Sequence, residues 1–233
     1  MSTFATVTYI CVACSTPCAV SEQMSGNNMG AIYWSDTRIM APMLDTEATP
    51  FIQCPSCHKF FDMRKQEGKR ENGFAWLEEG YSAEGVPIQE QEPVSSHLTL
   101  DTAQLLLRQL EEVPNPDPGD IAMVRRRLLL LANDVRAGRS WDAEENTSSA
   151  VRETAENIFR EQAEALLASP KTSPFLKAEL LRELGRFDDC LAALAAVPED
   201  DGWFAAVPLI RKKAEAHDST VFELQPDQEE PAE

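Results

Sequence analysis

The sequence predicts an α+β protein, in which a small N-terminal β module precedes an all-α region of helical hairpins. Two features support this prediction. Residues 1–64 contain five of the six cysteines and several short β-favouring runs, whereas apolar residues recur at helical spacing from about residue 98 onward. We therefore divide the 233 residues into a β module (1–65), a polar linker (66–97), a helical domain (98–218) and an acidic tail (219–233) that we expect to be disordered.

The β module is predicted from three runs rich in β-branched and aromatic residues. These runs are TFATVTYIC (3–11), AIYW (31–34) and KFFDM (59–63). SGNNMG (25–30) has the composition of a turn between strands. The following linker is rich in Glu, Gly and Pro, with one apolar island at 73–81 that we expect to dock on a neighbour.

Six segments of the helical domain carry the periodicity or the end signals of helices. They are residues 99–113, 120–139, 149–168, 173–185, 186–197 and 203–216. The fourth has Ser173 as N-cap, Pro174 at the first helical position and Gly185 at its end. The very short connection that follows predicts an antiparallel helical hairpin. In the last segment, Pro208 either kinks the helix or marks its start.

The acidic balance limits the classes of partner. A formal charge of −18 repels nucleic-acid phosphates and anionic lipid, so we expect no nucleic-acid or membrane partner. The basic run Arg125–Arg127 fans around a helix and is interpreted as a solvated face. The longest aliphatic run, at 128–132, falls far short of the roughly 20 residues that span a bilayer. The first residues lack the pattern of a signal peptide, so we expect a cytoplasmic protein.

Two CxxC pairs, Cys11/Cys14 and Cys54/Cys57, are separated by 39 residues. In the cytosol such pairs are more often metal ligands or redox groups than structural disulfides. A two-residue gap lets one tight turn direct both sulfurs at a single ion, while the amides of the turn hydrogen-bond the thiolates. We predict that these four cysteines bind one structural Zn²⁺, although four thiolates would also suit a rubredoxin-like iron.

Three further residues, Cys18, Cys190 and His58, could be considered as metal ligands. Cys18 either replaces Cys14 as a ligand or is a free thiol, and Cys190 is predicted to be a buried apolar thiol in a helix. His58 is not expected to bind the metal, because adjacent residues seldom both reach one ion. Four thiolates close the metal's coordination shell, and the chain carries no GxSxG, GxxxxGK[ST], GxGxxG or HExxH motif. Nothing in the sequence therefore supports an enzyme.

The first 65 residues resemble zinc-ribbon domains at the N-terminus of uncharacterised bacterial proteins. The resemblance lies in the two cysteine pairs and in a series of motifs between and after them. These are Ser25-Gly26-Asn27 with Gly30, Tyr33-Trp34-Ser35-Asp36, Ala41-Pro42-Met43, Pro55 in the second pair and Phe60-Phe61. His58 departs from the pattern, since zinc knuckles commonly have Gly there. The resemblance implies a fold and a metal but no reaction.

Residues 178–198 resemble the middle of a tetratricopeptide repeat. Gly185 and Phe187 match the turn, Cys190 the small-residue position, and Leu194 and Val197 the inner face. A tandem array would show a 34-residue period, and the chain has none. The resemblance therefore implies tetratricopeptide-like helical hairpins rather than a repeat array.

The leading functional expectation is a non-enzymatic interaction or adaptor protein, which offers a helical surface to a protein or peptide with a basic segment. The four tryptophans, Trp34, Trp76, Trp141 and Trp203, are either contact anchors or packing residues. One alternative is a redox protein that uses the cysteines as an iron centre. Another is a zinc-ribbon nucleic-acid binder, which is disfavoured because residues 1–65 offer only Arg38, Lys59, Arg64 and Lys65 as cations.

Overall fold

The structure is a computed structural model that describes residues 3–66, 69–70, 94–138 and 148–224. Its contacts divide the chain into two compact units. The N-terminal unit comprises Met1–Gly30 and Ala41–Leu98, and the helical unit comprises Ala31–Met40 and Thr99–Glu233. Within the described residues, seven strands precede six α-helices and one short strand follows them, all in antiparallel pairs, which confirms the predicted α+β class.

The described part of the chain contains eight strands, numbered in chain order. They are β1 (Thr3–Ile10), β2 (Pro17–Ser25), β3 (Ile32–Trp34), β4 (Ile39–Met40), β5 (Phe51–Gln53), β6 (Phe60–Asp62), β7 (Lys69–Arg70) and β8 (Glu223–Leu224). The N-terminal unit contains one sheet with the order β2-β1-β7 and a separate β5-β6 hairpin, all antiparallel. A 3-10 turn, Met63–Lys65, follows β6.

The core of the N-terminal unit is small. Alternation along β1 buries Val7 and Tyr9, while Cys18 and Val20 are buried on the facing β2. These side chains form one buried cluster, which also contains Cys11, Ile52, Cys54 and Phe61. Two of the eight buried members of this cluster are thus predicted metal ligands, so in the described part of the unit few apolar side chains besides them stabilise the cluster.

The strand predictions are correct for β1, β3 and β6, but β2 and β5 were not predicted. The sequence of β2, PCAVSEQMS, has its polar residues mostly in the second half and shows no strict alternation. Its strand conformation depends on pairing with β1, from Ile10 opposite Pro17 to Thr3 opposite Ser25. The predicted linker lies mostly outside the described residues, and so does its apolar island. Its end, Val94, donates its N–H to the Ala19 carbonyl (2.7 Å) beside β2.

The six predicted helices are confirmed in the helical unit. They are α1 (Leu100–Glu111), α2 (Pro118–Ala137), α3 (Ser149–Ala168), α4 (Pro174–Glu183), α5 (Phe187–Leu194) and α6 (Val207–Glu215). A 3-10 turn, Phe204–Ala206, leads into α6. Pro208 lies in the first turn of α6, so it marks the start of the helix rather than a kink.

Side-chain caps define the helix ends that the sequence signalled. Ser173 accepts the Leu176 N–H (3.2 Å) at the start of α4, and Gly185 adopts a φ of 76° after its end. At α2, Asp117 accepts the Gly119 N–H (2.7 Å), and Gly138 ends the helix with a φ of 66°. The short connection from α4 to α5 forms the predicted antiparallel hairpin, whose inner face buries Cys190 and Leu194.

Residues 31–40 lie in the helical unit rather than with the β module to which the sequence analysis assigned them. There β3 pairs with β4 on one edge and with β8 on the other. Because β8 belongs to the predicted disordered tail, part of that tail is an ordered strand. Residues 225–233 are outside the described range. The turn between β3 and β4 is polar yet buried, with Ser35 and Asp36 fully inaccessible to solvent. Buried polar groups of this kind require hydrogen-bond partners, and the helices supply them.

Asn133 of α2 connects the turn to the helices. Its side-chain amide donates to Asp36 (3.3 Å) and to Glu183 of α4 (3.0 Å), and its carbonyl accepts from Arg136 (2.7 Å). On the other side of the turn, Arg38 is paired with Asp134. This network fixes a polar loop inside the helical unit.

The basic run of α2 is only partly solvated, so the interpretation as a solvated face was wrong. Arg127 is buried, with 8% of its surface exposed. Arg125 bonds Gln162 (2.8 Å) and Glu111 (2.5 Å), whereas Arg126 donates to Thr37. Arg125 and Arg126 therefore connect α2 to α1, to α3 and to the turn that contains Thr37.

Glu183 makes the stability of the helical unit dependent on pH. Burial, reinforced by the charges of Glu179 and Asp36, raises its pKa well above the ordinary 4.5. The folded state thus binds this proton more strongly than the unfolded state, and the stabilisation declines as pH rises from about 4.5 towards the folded-state pKa. We expect Glu183→Gln to become more stable relative to wild type as pH increases.

The measurement is urea unfolding followed by helical ellipticity at about pH 5 and about pH 7.5. The advantage of Glu183→Gln over wild type should be larger at the higher pH. Glu153→Gln removes the same charge from an exposed position on α3 and should show no such change. An advantage that is constant or greater at the lower pH would contradict the prediction.

Candidate metal centre

The first cysteine turn connects β1 to β2. The Cys11 N–H donates to the Thr16 carbonyl (2.9 Å), and the Ser15 N–H donates to the Cys11 carbonyl (2.8 Å). Ser15 has a φ of 60°, which places it in the left-handed region. This geometry folds the chain back within five residues and brings the Cys11 and Cys14 side chains towards the same point.

The second turn, between β5 and β6, repeats the same construction. The Cys54 N–H donates to the Lys59 carbonyl (3.0 Å), and the His58 N–H donates to the Cys54 carbonyl (2.9 Å). His58 has a φ of 57° and stands at the position equivalent to Ser15. In both cysteine pairs, the residue directly after the second cysteine therefore has a left-handed backbone conformation. This explains why Gly is common at that position in zinc knuckles.

The four predicted cysteines lie together. The Sγ atoms of Cys11 and Cys57 are 3.6 Å apart, as are those of Cys14 and Cys54, and all four lie within 4.8 Å of one another. A tetrahedron of sulfurs at a Zn–S distance of about 2.3 Å has edges of about 3.8 Å. The sulfur positions therefore match a single tetrahedral ion, and four close cysteines can hold a metal.

The two turns give the cluster a buried side and an exposed side. Cys11 and Cys54 are buried, with 1% and 0% of their surfaces exposed, whereas Cys14 is exposed. Hydrogen bonding to the side chain and the backbone N–H of Thr16 lowers the pKa of Cys14 to about 6. A thiolate is the form that binds metal, so Thr16 favours the ligand state of Cys14 at neutral pH.

Cys18 is not part of the cluster. It is 1% exposed on β2, and its thiol donates to the Thr16 carbonyl (3.6 Å). Burial raises its pKa to about 12, with a further contribution from Cys54. Of the two alternatives for Cys18, the structure therefore favours the free buried thiol over replacement of Cys14.

Cys190 and His58 are the other two residues that the sequence analysis considered as ligands. Cys190 is 0% exposed within α5 of the helical unit, and burial raises its pKa to about 11, as expected of an inert thiol. The side chain of His58 is exposed, and its carbonyl accepts a hydrogen bond from Gln53 (3.0 Å). Neither belongs to the group of four sulfurs.

Thr16 is a residue of the site that sequence reasoning missed. Its carbonyl accepts from the Cys11 N–H and from the Cys18 thiol, and its hydroxyl contacts the Cys14 sulfur (3.2 Å). The signal was available in the spacing, because Thr16 follows the first cysteine by five residues, as Lys59 follows Cys54. The contacts of Thr16 with Cys11, Cys14 and Cys18 help to orient the first cysteine pair.

Replacing His58 by Gly should stabilise the N-terminal unit. A left-handed conformation costs a non-Gly residue roughly 1–2 kcal/mol, while Gly forfeits roughly 0.5–1 kcal/mol in chain entropy. We therefore expect a net gain of about 0.5–1 kcal/mol, measured by calorimetry of the purified protein. Lys59→Gly, at the next exposed position with no positive φ, should instead lose stability; a loss in both variants would contradict the prediction.

No helix in the described part of the chain has the length and apolar character needed to cross a membrane. A scan against protein-family models, a search of curated proteins and a search of solved structures each gave no match.

Proposed function

We propose that Cys11, Cys14, Cys54 and Cys57 bind one Zn²⁺ with a structural role, as in a zinc ribbon. The observation that carries this proposal is the convergence of four sulfurs within 4.8 Å from two turns of identical hydrogen bonding. Four protein thiolates leave no open position for water or substrate, which is the hallmark of structural rather than catalytic zinc. The metal would link the two hairpins across the small core of the unit.

A metal chelator tests the structural role. Removing zinc from the purified protein under reducing conditions should expose the N-terminal unit to trypsin, at Lys59, Arg64 and Lys65 first. Readdition of Zn²⁺ should restore protection, and the helical ellipticity should change little throughout. Unaltered protection after complete zinc removal would contradict a structural role. A red protein with bound iron would favour the alternative of a rubredoxin-like electron carrier.

We further propose that the protein is a non-catalytic interaction protein whose helical unit binds a protein or peptide. The hairpin of α4 and α5, with α6 packed against α5, supports a tetratricopeptide-like surface. The net charge of −18 favours a partner segment that is basic, because long-range attraction would accelerate its association.

The cations of the N-terminal residues support a protein partner over nucleic acid. Arg38 is 6% exposed and paired with Asp134 in the helical unit. Arg64 and Lys65 both contact Asp62, at 2.8 and 3.6 Å. Three of the four candidate cations thus already form ion pairs with carboxylates. This makes it less favourable for them to bind the phosphates of a nucleic acid.

A labelled arginine-rich peptide serves as a probe for a basic partner segment. Its affinity should fall steeply as salt rises, and Asp188→Lys/Asp189→Lys on the exposed first turn of α5 should weaken it by about fivefold or more. Glu153→Lys/Glu161→Lys on exposed positions of α3 changes the net charge equally and should weaken it about twofold or less. Equal effects of the two variants, or no salt dependence, would contradict a specific acidic surface on α5.

A further inference from the structure

A pocket of about 390 Å³ lies within the helical unit. It is bounded by the first half of α2, the end of α3, the start of α4, Thr37 and Trp203. Its volume falls in the range of small-molecule sites, which starts at about 300 Å³. The proposed interaction with a basic segment does not use this pocket.

The charges that line the pocket are opposite in sign to those of the protein as a whole. The chain has 39 acidic and 21 basic residues, yet the charged residues lining the pocket are Arg126 and Lys171, with no carboxylate among the described lining residues. A random sample of this surface would carry more carboxylates than cations. The reversal indicates a site adapted to negative charge.

Arg126 is half-buried, and its hydrogen-bond acceptors are uncharged. Its guanidinium donates to the Thr37 carbonyl (2.7 Å) and the Thr37 hydroxyl (2.9 Å), both uncharged. Among the described residues it forms no ion pair with a carboxylate, and burial lowers its pKa despite the attraction of Asp36. Holding a cation in this environment costs free energy that a bound anion would offset.

The start of α4 supplies further groups for an anion. Thr172, which is 9% exposed, has a buried hydroxyl with no hydrogen-bond partner among the described residues. It directly precedes Ser173, the N-cap of α4, where the helix dipole is positive. Lys171 is exposed beside it at the rim. Arg126, Lys171, Thr172 and the start of α4 thus line one pocket.

The remaining wall is apolar and held in place. Met123, Leu166 and Trp203 line it. Trp203 stacks on Phe175 (centroids 5.8 Å apart, planes at 17°) and meets the edge of Tyr33 (6.0 Å), so its position is fixed by packing on two sides. The pocket therefore offers an apolar surface next to its cations.

We propose that this pocket binds a small organic anion, with a carboxylate or phosphate group on Arg126 and Lys171 and an apolar body against Met123, Leu166 and Trp203. The ligand is a single small molecule rather than a polyanion, because the surrounding surface of the protein is acidic and would repel an extended negative chain. Recognition combines one charge with apolar contact, as in many metabolite sites.

Titration calorimetry and ligand-detected NMR of the full-length protein test the proposal. The probes are phenylacetate, phenyl phosphate and hexanoate, each at up to about 10 mM, where millimolar affinity is detectable. Phenylacetamide, the uncharged amide analogue of phenylacetate, is the neutral control. At least one anion should bind, and phenylacetamide should bind at least about tenfold more weakly than phenylacetate if phenylacetate is that anion.

Two variants separate the pocket from general charge effects. Arg126→Met should weaken the binding anion by about tenfold or more, and Lys171→Met, at an exposed position where folding is not at risk, by several-fold. Arg211→Met removes the same charge from an exposed position of α6 and should leave the affinity unchanged. The proposal would be overturned if none of the three anions bound, if phenylacetamide bound as tightly as phenylacetate, or if both pocket variants kept the wild-type affinity.

Discussion

Replacing Cys54 by serine should abolish metal binding and unfold the N-terminal unit. Cys54 is fully buried, and its sulfur lies 3.6 Å from that of Cys14. Serine's hydroxyl is a poor replacement for a thiolate, and the site would lose a ligand as well as a member of the small core. Structural zinc contributes on the order of 10 kcal/mol to the folding of small domains, which exceeds what this core can replace.

The expected result is loss of the metal measured per chain, together with rapid proteolysis of the N-terminal unit and nearly unchanged helical ellipticity. Cys18→Ala is the matched control, because it removes a buried thiol of the same core that lies outside the cluster. This variant should retain the metal. If Cys18→Ala lost the metal and Cys54→Ser retained it, the assigned ligand set would be wrong.

The second large effect is expected for Arg182→Met in the helical unit. Arg182 is 0% exposed and forms a double contact with Glu179, at 2.5 and 2.8 Å, in addition to bonds with the Asp218 carbonyl and Ser35 (3.4 Å). The variant would leave the carboxylate of Glu179 buried beside that of Glu183 without a cation in direct contact. Breaking a buried ion pair in this way costs roughly 3–5 kcal/mol.

Urea unfolding followed by ellipticity measures this loss. Arg160→Met is the matched control, since Arg160 also pairs with a carboxylate on its own helix, Glu156, but its side chain is 61% exposed. An exposed pair of this type contributes less than about 1 kcal/mol. Similar losses in the two variants would contradict the assignment of Arg182 as a central buried cation.

The two cysteine turns were predictable because their information is local. Two cysteines in a tight turn, with fixed hydrogen bonds before and after them, need only short-range geometry, and the structure brings the four predicted sulfurs together. The left-handed φ of His58 could also have been inferred, because Gly is common at that place. Helix ends such as Ser173 and Gly185 were predictable for the same reason.

The placement of residues 31–40 was not predictable, because it depends on distant partners. Ser35 and Asp36 have the composition of an exposed turn, and their burial depends on Asn133, Arg182 and β8, which are far away in sequence. The resemblance to zinc ribbons even favoured the wrong neighbours, since it grouped these residues with the cysteines. Only the folded structure shows that they complete the helical unit.

The basic run of α2 illustrates the same limit. A helical wheel correctly distributes Arg125, Arg126 and Arg127 around the axis, but it does not show what each side chain meets. Arg125 meets Glu111, Arg127 is buried, and Arg126 faces Thr37 at the edge of a pocket. Distinguishing a solvated arginine from one at the edge of a pocket therefore required the tertiary contacts.

Elemental analysis of the purified, untagged protein tests the central claim most directly. Zinc and iron are counted per chain in protein prepared under reducing conditions. The four-sulfur site predicts about one zinc per chain. About one iron per chain would contradict the assignment of zinc, and the absence of any metal would contradict the site itself.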